Sequence, residues 1–133
     1  MGLEMEDLQP DQEVRARALE YYAAMYDKPV KQDLDVTEEA ALKRLMAVAF
    51  QYSGQSEIVA DFLLSWWNAH ECGAFNPTRL WGLDLELAED VCLIFRAISQ
   101  MARYPDSLGY QRQFDRLVRR WRPQLFANED AAR

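Results

Sequence analysis

Cysteine, histidine and long apolar runs are all scarce in this sequence of 133 residues. Two cysteines are too few for a disulfide framework, and one histidine limits the metal sites and general bases that the chain can build. No run of about eighteen apolar residues occurs, so we expect no membrane-spanning helix. The first residues are acidic and lack the apolar segment of a signal peptide, so we expect a cytoplasmic protein.

Catalytic motifs are missing as well: no phosphate-binding loop, dinucleotide fingerprint or catalytic serine motif is present. His70, Cys72 and Cys92 are three scattered candidates, whereas a structural zinc site uses four ligands. Cys92 falls on an apolar helical stripe and is predicted to be a small core residue. A nucleophile pair of Cys72 and His70 is the catalytic alternative, although residues two apart do not obviously face each other. We therefore expect no enzyme activity, no metal and no cofactor.

The sequence predicts an all-α fold. Its apolar residues, which make up half of the chain, recur at intervals of three and four. We expect a compact bundle of about five helices, near residues 12–26, 37–52, 56–67, 84–103 and 109–121. The fourth helix has the clearest stripe and should be central. That stripe contains Leu87, Val91, Ile94, Ile98 and Met101, widened by Ala88, Cys92 and Phe95.

Charge and proline placement divide the chain into three segments. Residues 1–36 are predicted to be an acidic extension with one helix, which ends where Asp27 and Lys28 precede Pro29. Whether that helix packs on the rest is left open. Residues 37–126 are predicted to be the helical core domain, and residues 127–133 a flexible tail.

Residues 62–84 hold the densest aromatic stretch of the chain. We expect a structured loop there, between the third and fourth helices, with Gly73 ending one helix and Asn76-Pro77 starting a short turn. Apolar residues in such a loop should fold back onto the core. The predicted core aromatics are Trp66, Trp67, Phe75, Trp81 and Trp121. Only one of the two adjacent tryptophans should be fully buried, because neighbouring helical residues diverge by about 100°.

The net charge of −7 lies entirely in the first half of the chain. Residues 1–62 carry 13 acidic and 6 basic residues, whereas residues 63–133 carry 9 of each. Four acids cluster before and at the start of the second helix, and we interpret them as a surface for a basic partner protein. They are Asp33, Asp35, Glu38 and Glu39. Glu86, Glu89 and Asp90 are interpreted as a solvated group that favours the start of the fourth helix.

The alternative site lies on the fifth helix, which is rich in arginine. Arg112, Arg116, Arg119 and Arg120 could bind phosphates of a nucleic acid. The acidic half of the chain would repel that ligand, so internal pairing with acidic side chains is the competing interpretation.

The strings WWNAHECGAFNPTRLWGLD, RYPDSLGY and LVRRWRPQL resemble an uncharacterised bacterial domain family associated with integrative and conjugative elements and genomic islands. The resemblance spans roughly residues 42–125 and implies a cytoplasmic accessory protein of mobile DNA. It carries over no catalytic residues. We therefore expect a non-enzymatic interaction module, such as an inhibitor or a nucleic-acid-mimicking, anti-CRISPR-like anti-defence factor. The alternative is a nucleic-acid-binding accessory protein of element transfer or regulation.

Overall fold

The computed structural model describes residues 9–26 and 31–131, and every regular element within these ranges is helical. The α-helices are α1 (Pro10–Tyr26), α2 (Val36–Ala49), α3 (Gly54–Cys72), α4 (Leu85–Met101), α5 (Gln111–Trp121) and α6 (Ala127–Ala131). Short 3-10 turns occupy Pro77–Gly82, Pro105–Leu108 and Pro123–Phe126. The predicted all-α class is therefore confirmed for the described residues.

Local capping sets the starts of α2 and α3. The Asp35 carboxylate accepts from the Glu38 backbone N–H at 2.8 Å, and the Glu38 side chain accepts from the Asp35 N–H at 2.9 Å. This reciprocal capping box satisfies two backbone donors that the first turn of a helix leaves unpaired. Ser53 and Ser56 make the equivalent arrangement before α3. The first residues of α2 and of α3 are thus both determined by side-chain caps.

Helix α3 is interrupted near its end. Asn68 leaves the helical conformation, and its side-chain oxygen accepts from the Glu71 N–H at 3.1 Å, which caps the final turn. Gly73 follows at φ 97°, a left-handed conformation that favours glycine. The predicted stop at Gly73 and the Asn76-Pro77 restart are both confirmed.

The loop after α3 is only partly folded onto the core. Phe75 packs edge-on against Phe62 with ring centroids 5.5 Å apart, and Leu83 is buried. Trp81, however, is 85% exposed, so its predicted place in the core is wrong. It lies in the Pro77–Gly82 turn, whose geometry directs its neighbour Leu80 inward instead.

The core lies where α2 and α5 pack on α3 and α4 packs on α2. Trp66 is 8% exposed, stacks edge-on against Phe114 at 6.2 Å, and donates its indole N–H to the Arg103 carbonyl at 3.0 Å. Trp67 is half-buried, in keeping with the expected divergence of the pair. Trp121 is also half-buried and donates its indole N–H to the Ala49 carbonyl at 2.7 Å, which ties α5 to α2.

Both ends of the chain differ from the core. The exposed apolar side chains of α1 include Val14, Leu19, Tyr21 and Tyr22. Residues 31–35 are attached to the core, because the Lys31 N–H donates to the Gln100 carbonyl at 3.2 Å. The predicted flexible tail contains the short helix α6. None of the described helices has the length and apolarity needed to cross a membrane.

Candidate partner-binding surfaces

Three of the four predicted acidic site residues do face solvent. Asp33, Asp35 and Glu39 are exposed where the chain enters α2. Asp35 lies 3.9 Å from the Lys31 ammonium, and Glu39 lies 3.4 Å from the Lys43 ammonium. Exposed pairs of this kind are weak and screened by salt, so the carboxylates remain accessible to a cationic partner. We call Asp33, Asp35 and Glu39 the acidic surface.

Glu38 does not belong to that surface, and its assignment as a partner-binding residue is wrong. It is 4% exposed, and its carboxylate forms an ion pair with Lys31 while capping α2. A buried carboxylate needs such partners, because an unpaired buried charge is costly. The inward direction of Glu38 could not be predicted from the sequence, because it depends on how the 31–35 segment lies against α4.

Tyr110 lies beside the acidic surface, at the start of α5. Its side chain is 9% exposed, and its hydroxyl is buried without a hydrogen-bond partner among the described residues. Burial raises the pKa of the phenol above its ordinary value, and the charges of Glu39 and Asp33 raise it further. The hydroxyl therefore stays neutral and places no charge next to the acids.

The four arginines predicted as an alternative site differ in their surroundings. Arg112, Arg116 and Arg119 are exposed on α5. The Arg119 guanidinium lies 4.1 Å from the centre of the Phe126 ring and pairs with Glu129 at 3.4 Å. Arg120 is half-buried, with its guanidinium 3.6 Å from the centre of the Tyr52 ring. Its N–H also donates to the Gln51 carbonyl at 3.1 Å, so stacking and bonding hold it against its own chain.

Two further ion pairs, neither of them predicted from the sequence, link distant parts of the fold. Arg122 pairs with Asp61 at 2.7 Å and donates to the Cys72 carbonyl at 3.1 Å, joining the end of α5 to α3. Arg44 of α2 donates twice to Asp90, each at 2.9 Å. Asp90 is 7% exposed, so its predicted place on a solvated face is wrong. The hydrogen bonds to Asp90, followed by the charge of its carboxylate, raise the pKa of Arg44.

The Cys72 and His70 pair lacks what a nucleophilic site needs. Cys72 is buried, and burial raises the pKa of its thiol, with the Arg122 charge opposing that shift. A raised pKa leaves little thiolate near neutral pH, and thiolate is the nucleophilic form. His70 is exposed. In the described ranges, no cluster of three or more histidine, cysteine or acidic side chains could hold a metal ion.

An apolar groove, which was not predicted from the sequence, lies between α3, the loop after it and α4. It has a volume of about 550 Å³. Its lining includes Phe62, Ala69, Phe75, Leu80, Cys92 and Phe95. Cys92 is exposed and Phe95 is 68% exposed, so their expected burial in the central stripe of α4 is wrong. We call this feature the α3–α4 groove.

A wider cleft of about 750 Å³ lies on the other side of the end of α3. Trp67, Tyr104 and His70 line it, together with Asp106. The Trp67 indole N–H donates to the Asp106 carboxylate at 3.1 Å. The Asp106 carboxylate is therefore already engaged within the chain.

The fold and these surfaces define an all-α domain. Residues 39–122 match the model of DUF7673, described as a family of unknown function, and the chain belongs to that family. The match runs from within α2 to the end of α5 and includes both ion pairs just described. No curated protein and no solved structure gave a match.

Proposed function

We propose that this protein is a non-enzymatic interaction module that binds a basic protein through the acidic surface. The observation that carries the proposal is the exposure of Asp33, Asp35 and Glu39 on a segment that the α2 capping box and the Lys31–Glu38 pair hold in place. A preformed cluster of like charges attracts an oppositely charged partner and raises the rate of association. The net charge of −7 acts in the same direction.

The proposed setting is the cytoplasm of a bacterium that carries a mobile genetic element. This rests on the resemblance of the tryptophan-rich and arginine-rich strings to proteins of such elements. In that setting, an acidic module can occupy a groove that a host defence protein uses for nucleic acid, and so act as an inhibitor. A basic, nucleic-acid-binding host protein is the partner class that follows.

The test is a pull-down with variants that change charge but not shape. The variant Asp33→Asn, Asp35→Asn, Glu39→Gln removes three exposed charges, and asparagine at position 35 still caps α2. Its control, Glu71→Gln, Glu86→Gln, Glu89→Gln, removes three exposed charges elsewhere. Glu38 is left intact in both because it is buried.

We expect a basic protein to bind the wild type and the control, and the acidic-surface variant to bind it at least about tenfold more weakly, with loss at high salt. Nucleic acid added in excess should compete for the same partner. Equal capture by the acidic-surface variant and the control would refute this choice of surface.

The second candidate function is nucleic-acid binding by α5, and one observation favours it. Arg112 and Arg116 are exposed, and neither forms an ion pair with any residue that the structure describes. If they bind phosphates, the protein will be retained on duplex DNA at low salt. Arg112→Gln with Arg116→Gln should then lower the salt slope by about two, since each phosphate contact contributes about 0.9. Passage of the wild type through heparin and DNA columns would rule this function out.

A further inference from the structure

The wider cleft beside the end of α3, which we call the aromatic cleft, combines aromatic side chains with polar ones. Its volume of about 750 Å³ lies within the range of about 300–1,000 Å³ that is usual for pockets that hold small ligands. Trp67 and Tyr104 line it, and Tyr104 is 64% exposed, so its ring is accessible to a ligand. Asn68, His70 and Asp106 are among its polar residues. This lining suits a ligand that can both stack on a ring and form hydrogen bonds.

The charge of the lining favours a cation. Asp106 is the one carboxylate among the described residues that line the cleft, and none of these residues is a lysine or an arginine. One oxygen of Asp106 accepts from the Trp67 indole N–H at 3.1 Å, whereas the other has no donor among the residues that the structure describes. A cation placed in the cleft would meet this oxygen and the rings of Trp67 and Tyr104, and both kinds of group attract positive charge.

Two arginines lie near the cleft without lining it. The Arg103 guanidinium donates to the Ser107 hydroxyl at 3.1 Å and to the carbonyl oxygens of Ser107 and Gln32, so its donors are engaged within the chain. Arg112 lines a separate depression, where the carboxylate of Asp115 accompanies it. Neither arginine therefore neutralises the interior of the aromatic cleft.

The aromatic cleft adjoins the acidic surface. Arg103 connects the two, because its guanidinium bonds the carbonyl of Gln32 and its backbone directly precedes Tyr104 of the cleft. Gln32 in turn directly precedes Asp33 of the acidic surface. A partner that contacts the acidic surface can therefore reach the cleft within the same interface.

Arginine is the cation that matches this lining best. Its planar guanidinium stacks on aromatic rings and presents several N–H donors to carboxylate and carbonyl oxygens. The chain itself makes such contacts: the Arg120 guanidinium lies 3.6 Å from the centre of the Tyr52 ring, and that of Arg119 lies 4.1 Å from the centre of the Phe126 ring. A protein that binds nucleic acid, the partner class proposed above, presents arginines on its surface to contact phosphates.

We propose that the aromatic cleft binds an arginine side chain of the basic partner, whose guanidinium contacts the rings of Trp67 and Tyr104 and donates to the second oxygen of Asp106. The identity of the partner rests on the proposed function, but the cleft and the acidic surface consist of different residues and can be tested separately. The cleft adds specificity to the association, because a stacked and hydrogen-bonded guanidinium has directional requirements that long-range attraction lacks.

The cleft can be tested without the partner, with N-acetyl-arginine amide as the probe and N-acetyl-citrulline amide as its uncharged counterpart. Titration into isotope-labelled protein should shift the indole N–H signal of Trp67 saturably, and this signal is assigned by its absence in Trp67→Phe. The arginine probe should bind at least about fivefold more tightly than the citrulline probe. No saturable shift, or equal affinity for the two probes, overturns the proposal. Binding of a nucleoside in place of the arginine probe overturns it as well.

Two variants locate the bound probe. Asp106→Asn removes the charge but keeps an oxygen for the Trp67 bond, and Tyr104→Ala removes an accessible ring. Each should weaken binding of the arginine probe at least about threefold. The controls Glu89→Gln and Trp81→Ala remove an exposed carboxylate and an exposed ring elsewhere, and should bind the probe as the wild type does. Equal affinity in all four variants would place the probe outside the cleft and overturn the proposal.

Comparison with the acidic-surface variant separates this inference from the proposed function. Asp33→Asn, Asp35→Asn, Glu39→Gln should bind the arginine probe with unchanged affinity and lose the partner in the pull-down. Tyr104→Ala should capture the same partner at least about threefold more weakly than the wild type. Weaker capture in the acidic-surface variant alone would overturn the role of the cleft and leave the proposed function standing. Weaker capture in Tyr104→Ala alone would refute the acidic surface and support the cleft.

Discussion

Helix α4 has two apolar faces with the same spacing of residues, and they differ in how much of their side chains is exposed. On the inner face, Val91, Ile94 and Met101 are at most 3% exposed. On the outer face, Leu85 and Phe95 are 74% and 68% exposed. The spacing of apolar residues therefore identifies faces that can pack, but does not tell which face the chain itself covers. That difference separates residues that hold the fold from residues that stay exposed.

The largest expected effect comes from the two tryptophans with the most different exposure. Trp66→Ala should lower the free energy of unfolding by about 3–5 kcal/mol, because the change empties a buried site beside Phe114. Trp81→Ala should change it by less than about 0.5 kcal/mol, since Trp81 is exposed. Urea denaturation followed by circular dichroism measures both. Similar losses in the two variants would show that exposure does not separate them.

The next effect compares neighbours on the two faces of α4. Ile94→Ala should cost about 2–5 kcal/mol, because Ile94 is fully buried. Phe95→Ala, measured on dilute protein, should cost less than about 0.5 kcal/mol despite removing a larger side chain. A large loss of unfolding free energy in Phe95→Ala would mean that the outer face of α4 is covered in the folded protein.

The reaction rates of the two cysteines should show the same difference between an exposed and a buried site. Cys92 on the outer face is exposed, whereas Cys72 is buried and has a raised thiol pKa. Dilute native protein should therefore react with a maleimide at Cys92 at least about tenfold faster than at Cys72. Variants with a single cysteine, Cys72→Ala and Cys92→Ala, assign each rate. The difference should vanish in denaturant.

The smallest effect concerns Tyr110, whose buried hydroxyl has no described partner. The folded chain raises the pKa of this phenol, so its contribution to stability is complete below the ordinary value of about 10 and is lost as pH rises through the folded value. Tyr110→Phe should change stability at neutral pH by less than about 1 kcal/mol, because no hydrogen bond is lost. It should also weaken the decline of stability above about pH 10. An unchanged alkaline decline would contradict the shift.

Features that depend on a few neighbouring residues could be predicted from the sequence. Gly73 and Asn76-Pro77 are predicted where the structure has them, and Asp35, which caps α2, lies two residues before the predicted helix start near residue 37. These positions follow from backbone donors and allowed dihedral angles, which adjacent residues determine. The limits of α2 and α5 were therefore predictable to within a few residues.

Features that depend on contact between distant segments could not be predicted. Glu38 and Asp90 look like surface acids in the sequence, but Glu38 pairs with Lys31 and Asp90 pairs with Arg44. These partners come near only because α2 and the 31–35 segment pack against α4. The exposure of Cys92 depends likewise on the path of the loop after α3. One sequence gives the spacing of residues along an element, whereas the side that is buried follows from the arrangement of elements.

The attachment of α5 has a consequence for the order of folding. The Trp121 bond to Ala49 spans 72 residues, and the Arg122 bonds to Asp61 and Cys72 span 61 and 50 residues. Closing loops of this length costs conformational entropy before the contacts can form. These bonds should therefore form after the main folding barrier. Removing the indole bond with Trp121→Phe should accelerate unfolding while leaving the refolding rate nearly unchanged, as stopped-flow kinetics can measure.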